Sequence, residues 1–200
     1  MKVNKDITQG SDEWHAIRRG KMTASNAQAI GNNGKGLETY ILDIMSELHS
    51  SAEKENYTNE DMERGHELED QARQLYELQK GAKIEQVGFI EQDEHVGCSP
   101  DGLIGEDGGI ETKCPKDREH FKIILYGKKA IESKYLWQVQ MNLMITGRKW
   151  WDLVYYNPNF KNSLIIFRIE PDSVKHEKLK LGIEAGKIKI KEITNKLKNA

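Results

Sequence analysis

Residues 98–115 read "CSPDGLIGEDGGIETKCP". An aspartate behind a proline, a glycine-rich turn and a Glu-Thr-Lys triplet crowd into this one stretch, and its reading decides the fold. Taking Gly105–Gly109 as a five-residue loop closes a hairpin between Ile104 and Ile110, with Asp101 across from Lys113. Side chains alternate faces along a strand. Asp101, Glu111 and Lys113 then share one face, while Cys98 and Cys114 turn the other way into a core. Leu103 falls on the charged face too, for no reason this geometry supplies. Two carboxylates side by side offer hard oxygen ligands to Mg²⁺, which takes few protein groups and keeps several waters. The Thr112 carbonyl adds a third oxygen. Positive charge nearby and partial burial lower the pKa of Lys113, suiting it to activate or orient an attacking water. A solvated hairpin with scattered charges is the plain alternative. The proline and glycines around Asp101 hold it at a fixed turn and weigh against that alternative.

Outward from the hairpin, "AKIEQVGFIEQ" (82–92) reads as a further strand region. Before it, "EDMERGHELEDQARQLYELQ" (60–79) is a charged helix with Leu68, Ala72, Leu75 and Tyr76 facing a core. Leu37, Tyr40, Ile41, Ile44, Met45 and Leu48 recur at helical spacing over 37–49, and "SSAEKENYTN" (50–59) is a polar connector. "SDEWHAIRR" (11–19) predicts a short helix capped by Ser11 or Asp12. "TASNAQAI" (23–30) predicts another, with Ser25-x-x-Gln28 at capping-box spacing, and "GNNGKG" (31–36) a flexible loop. Downstream come helices in "REHFKIILYGKKAI" (118–131) and "KYLWQVQMNLMIT" (134–146). Strands follow in "KWWDLVYYN" (149–157) and "SLIIFRIEP" (163–171), then a basic amphipathic helix at about 172–200. The order α, β-meander, αα, ββ, α predicts an α/β (α+β) fold with a central mixed sheet flanked by helices.

At 200 residues the chain is expected to form a single domain over 1–200. Charged residues make up 31% and hydrophobic ones 37%, which suits a soluble globular protein. No apolar run nears the ~20 residues of a membrane span, and the N-terminal segment has no secretory apolar stretch. Two cysteines without a Cys-x-x-Cys pair point to a reduced cytosolic setting. The net charge of −2 hides a polarity, because the last 26 residues hold eight lysines against three glutamates. That is a basic end on a mildly acidic body.

"SPDG" (99–102) followed by "ETK" (111–113) resembles the PD-(D/E)XK nuclease signature. The chain more widely resembles the phage lambda exonuclease, or YqaJ-like viral recombinase, family. The likeness runs through "EWHAIRRGKMTASNAQAI", "GHELEDQAR", "CSPDGLI…IETKCP" and "YLWQVQMNLMITG", in order, across roughly 13–157. It implies a restriction-endonuclease-like core in which Asp101 and Glu111 bind metal and Lys113 activates water. Glu69 would be an additional acid, with Glu67 and Asp70 as close rivals, and Gln138 would orient water or backbone. It also implies two Mg²⁺ ions, or Mn²⁺ as a substitute. Arg18, which aligns better than Arg19, would hold a terminal 5′-phosphate with Ser25 and Ser99 in a block opened by Trp14. Met62 stands at the place of a strand-separating wedge, while Arg64 replaces an aromatic common there. The resemblance implies a 5′→3′ exonuclease acting on double-stranded DNA ends and leaving a 3′ overhang. As in the family, it would be a homotrimeric ring in a bacterial cytoplasm, partnered by a phage single-strand annealing protein. A restriction-type endonuclease and a non-catalytic DNA-end-binding module are the alternatives. "GNNGKG" lacks the Gly-Lys-Ser/Thr ending of a phosphate loop, and the six histidines form no zinc-hydrolase motif.

Overall fold

The computed structural model describes residues 1–50 and 60–199. The chain begins with β1 (Lys2–Asn4), α1 (Asp12–Arg18), β2 (Met22–Thr23), α2 (Ala27–Asn32), α3 (Lys35–His49) and α4 (Glu60–Lys80). Then come β3 (Ile84–Glu85), β4 (Phe89–Asp93), β5 (Val96–Cys98), β6 (Gly102–Ile104) and β7 (Gly108–Lys113). It closes with α5 (Asp117–Tyr126), α6 (Ser133–Thr146), β8 (Trp150–Tyr156), β9 (Leu164–Ile169) and α7 (Ser173–Lys198).

The strands form two mixed sheets rather than one: β1-β4-β5-β2 and β3-β6-β7-β8-β9. "VGCSPDGLI" is therefore not one strand. It leaves the smaller sheet after Cys98, bends through Ser99–Pro100–Asp101 and enters the larger sheet at Gly102. In the larger sheet β7 is antiparallel to β6 and parallel to β8. A parallel neighbour needs a long crossover, which α5 and α6 supply. Trp151, Leu153 and Tyr155 of β8 pack with Val139, Met141 and Leu143 of α6 in the main core. On the opposite face, Ile110 and Val154 pack with Tyr76 of α4.

The hairpin register differs from the expected one. Gly102 pairs with Ile110 and Ile104 with Gly108, so the turn is Gly105–Asp107 and Asp101 comes level with Glu111. Gly108 and Gly109 are strand residues lying beneath the Trp150 and Trp151 rings, where a Cβ would clash. One Arg148 nitrogen gathers the carbonyls of Ile104, Gly105 and Gly108 at 3.3, 2.8 and 2.6 Å and holds the short turn closed. A slip of two residues preserves the alternation of faces, so Glu111 and Lys113 still share one side. The cysteines do not behave as a pair. Cys98 packs in the main core, and Cys114 packs beside Leu68, Ala72 and Tyr156. Leu103, unexplained from sequence, is part of the main core.

Two N-terminal expectations also change. Ser11 caps α1, accepting from the Trp14 N–H at 3.2 Å, but Ser25 caps no helix. It lies inside a 3-10 turn, Ala24–Asn26, and its hydroxyl meets that of Thr23 at 3.1 Å. "GNNGKG" is not a flexible loop: α2 continues to Asn32, Asn33 breaks it with φ of 47°, and α3 starts at Lys35. α7 is capped by Asp172, which accepts from the N–H groups of Val174 and Lys175. Gly182 lets α7 approach the Ile30 carbonyl of α2, a contact any side chain would block.

Candidate active site

Glu111 stands in the middle of β7 and is 1% exposed, facing α6. Its Oε1 accepts from Lys113 Nζ at 2.7 Å and from Gln138 Nε2 at 2.6 Å. Its Oε2 accepts from Asn142 Nδ2 at 3.2 Å. Burial first, then the charge of Asp101, pushes the Glu111 carboxyl up to about 7, although Lys113 pulls the other way. Asp101 projects from the bend between the sheets, and its Oδ2 accepts from the Thr112 N–H at 2.5 Å. Two carboxylates that repel each other, one buried and one at a bend, form a hard-oxygen set suited to a divalent cation. The Thr112 carbonyl could add a third oxygen to that set. Among the described residues no group of three His, Cys, Asp or Glu is close enough to hold one ion. The oxygen set therefore rests on this pair.

The structure separates the three acids of α4. Glu67 is exposed, and Asp70 is exposed and paired with Arg73. Glu69 is half-buried, and its charge reaches Glu111. The side chains of Met62 and Arg64 lie outside the described residues.

Lys113 departs from expectation in its electrostatics. Burial alone lowers its pKa, but the charges of Glu111 and Asp101 outweigh burial and raise it. Its ammonium also lies 4.9 Å from the Tyr135 ring centre. These surroundings favour the protonated ammonium of Lys113 over the free amine.

A second cluster adjoins the first through the bend. Arg18 Nη1 and Trp14 Nε1 both donate to Ser99 Oγ, at 2.7 and 3.0 Å. With both bonds accepted at its oxygen, the Ser99 hydroxyl still has its own proton to donate. The Arg18 guanidinium lies 4.0 Å from the Trp14 ring centre, and burial lowers its pKa despite the charges of Tyr40 and Glu47. No carboxylate lies within ion-pair distance of it among the described residues. A partly desolvated guanidinium beside a hydroxyl is a pair of groups able to bind phosphate oxygens. Arg19 instead donates to the Glu47 and Ser50 carbonyls and closes the end of α3. Ser25 is exposed and joins this cluster only through Thr23, whose N–H donates to Tyr40 Oη at 3.0 Å. With only six residues in α2, a helix-end anion site at Ser25 has no support.

Asn142 escaped the sequence reading. It is fully buried, it clamps the second oxygen of Glu111, and its own Oδ1 meets no partner. The signal was its position one helical turn after Gln138, a second amide on an otherwise apolar face. Gln140, the other glutamine of that helix, is structural. It donates to the Glu170 carbonyl and accepts from the Asp172 N–H, tying α6 to the start of α7.

Fold and site together define an α/β protein of the PD-(D/E)XK nuclease type, with paired carboxylates and a lysine on a bent ribbon. The YqaJ-like viral recombinase domain matches residues 13–149, and the chain belongs to that family. The chain is similar to a crystal structure of LHK-Exo in complex with dAMP, at 30% identity and TM-score 0.86 over 94% of this chain and 97% of that one. It is also similar to an alkaline exonuclease (LHK-Exo) from Laribacter hongkongensis, at 29% identity and TM-score 0.81 over 94% and 99%. A phage related exonuclease from Haemophilus somnus 129PT shares the fold at 14% identity and TM-score 0.68 over 88% and 96%. Among curated proteins none matches. No helix among the described residues is long and apolar enough to cross a membrane.

Proposed function

We propose that the protein is a divalent-metal-dependent 5′→3′ exonuclease, one domain over residues 1–200. It degrades one strand of double-stranded DNA from a 5′-phosphorylated end, giving mononucleotides and a 3′ single-stranded overhang. One observation carries this reading: the Ser99–Pro100–Asp101 bend joins the Arg18–Ser99 cluster directly to the carboxylates. A chain end seated in the first cluster presents its nearest phosphodiester to the second. The similarity to an exonuclease crystallised with dAMP, a mononucleotide, supports the same substrate class.

Asp101, Glu111 and the Thr112 carbonyl would hold the cation, with Glu69 as the added acid for a second ion. When bound, Mg²⁺ or Mn²⁺ supplies Lewis-acid polarisation of the phosphate and of water. The remaining work belongs to the chain. Gln138 and Asn142 hold the Glu111 carboxylate in place, and the Lys113 ammonium orients water and offsets charge at the scissile phosphate. Arg18 and Ser99 grip the terminal phosphate, and Trp14 fixes both. The overhang would serve recombination by a phage annealing protein in a bacterial cytoplasm, with the enzyme working as a homotrimeric ring. A monomer mass by sedimentation removes the ring from this account.

The test is Mg²⁺-dependent nucleotide release from a 5′-phosphorylated duplex, a 5′-hydroxyl duplex and a closed circle. The phosphorylated duplex is expected to be degraded fastest and the circle left intact. Cutting of the circle would assign the restriction-type alternative, and no cutting at all the binding module.

A further inference from the structure

Most exposed large apolar side chains among the described residues fall on two helices: Val174, Leu181, Ile188 and Leu197 are spread along α7, while three sit close together on α5. Phe121, Leu125 and Tyr126, at 50, 55 and 63% exposure, project from a single helix, α5. Phe121 and Leu125 are one turn apart, as are Lys122 and Tyr126, so the four make one contiguous surface. The Phe121 ring stacks on Phe160 in the β8–β9 turn, with centres 6.3 Å apart and planes at 20°. That turn is fixed to the start of α5. Asn157 donates to the Pro115 carbonyl and to Asp117, Asn159 donates to Asp117, and His120 Nε2 meets the Asn162 carbonyl at 2.9 Å.

Charge and position narrow the occupant. The acids here are engaged: Glu119 pairs with Arg118 and Lys122, Asp117 accepts from the two asparagines, and Glu132 pairs with Lys134. Lys128, Lys129 and Lys161 are exposed and make no ion pair among the described residues. Aromatic faces set among unpaired cations match a ligand with an anionic backbone and open π-faces. A duplex hides its base faces, whereas a single strand presents them. The surface also lies at the carboxyl ends of β7 and β8, the end that carries Lys113, only four residues before α5 starts at Asp117.

We propose that α5, the 3-10 turn Gly127–Ala130 after it and the β8–β9 turn form a binding surface for single-stranded DNA, with Phe121 and Tyr126 stacking bases and Lys128, Lys129 and Lys161 meeting phosphates. The proposal rests on the exonuclease reading, because strand-selective digestion leaves a single strand for such a surface to hold.

Anisotropy of a fluorescent oligothymidylate, measured with the full chain in EDTA, tests it without hydrolysis. The double substitution Phe121→Ala, Tyr126→Ala is expected to weaken binding roughly tenfold or more. Lys128→Glu with Lys129→Glu should also weaken it and flatten its salt dependence. Release of the first nucleotide from a blunt 5′-phosphorylated duplex in Mg²⁺ should stay at the parent level in both variants. Unchanged oligothymidylate affinity in variants with the parent circular-dichroism spectrum overturns the proposal. So does a loss of sedimenting mass in the aromatic variant, which would make the patch a contact between copies of the chain. A parent protein that binds oligothymidylate but degrades no duplex sinks the exonuclease reading alone.

Discussion

Two buried carboxylates stand on neighbouring strands of the larger sheet and meet different fates. Asp152 of β8 and Glu111 of β7 are each 1% exposed. Asp152 accepts from Tyr76 Oη at 2.6 Å and from Arg168 Nε and Nη2 at 2.9 and 3.0 Å. Arg168 itself lies over the Trp150 ring at 3.7 Å. A guanidinium fork and a phenol satisfy this charge locally, and it serves the fold. Glu111 is just as well supplied with donors, from Lys113, Gln138 and Asn142, yet burial and Asp101 push it up to about 7. Hydrogen bonds alone do not separate a structural carboxylate from one arranged for chemistry. A second negative charge within reach does.

The contrast can be broken most forcefully at Lys113. Lys113→Ala is expected to cut nucleotide release by about 10²–10³-fold while DNA ends still bind, as read by single-turnover kinetics and anisotropy. Near-parent turnover would take Lys113 out of the site. Next in size is Arg18→Ala. Charge-assisted hydrogen bonds contribute about 1.5–3 kcal/mol, so a parent preference of roughly tenfold or more for 5′-phosphate over 5′-hydroxyl ends should vanish. If it survives, the phosphate pocket lies elsewhere. Asn142→Ala should weaken Mn²⁺ binding about tenfold in calorimetry on the full chain. A lowered melting temperature with unchanged Mn²⁺ affinity would reduce Asn142 to a packing residue.

The smallest effect sharpens the comparison itself. The Glu111 carboxyl titrates near 4.5 when unfolded and near 7 when folded. Between those values the folded state holds more protons, so stability falls as pH rises through the window, by a few kcal/mol when complete. In metal-free buffer above that window, Glu111→Gln should melt higher than the parent. Asp152→Asn should melt lower, by about 1–3 kcal/mol in stability, because Arg168 loses its partner. Shifts of the same sign in both variants would erase the distinction drawn between them.

Several elements were readable because their signals are local. The Ser11 cap, the periodicity of α3 and the charged face of α4 each follow from side chains within a few turns. The shared face of Glu111 and Lys113 was readable because alternation along a strand survives a register slip of two. Illegible parts depended on distant partners. Nothing near Gly105 announces that Arg148 will gather its carbonyl and shorten the turn. Nothing near Lys113 shows that two carboxylates will outweigh its burial. Ser25 had the spacing of a capping box, but pairing of β2 with β5 took its segment into a strand and a tight turn.

By itself the sequence determined which residues could do chemistry, because an Asp, a Glu and a Lys on a short ribbon are constrained by chain geometry alone. The tertiary structure decided what surrounds them. It split one apparent strand between two sheets, joined Arg18 to Ser99 on the bend that carries Asp101 and placed Asn142 against Glu111. Electrostatic environment is a sum over groups far apart in the chain, and only packing brings those groups together.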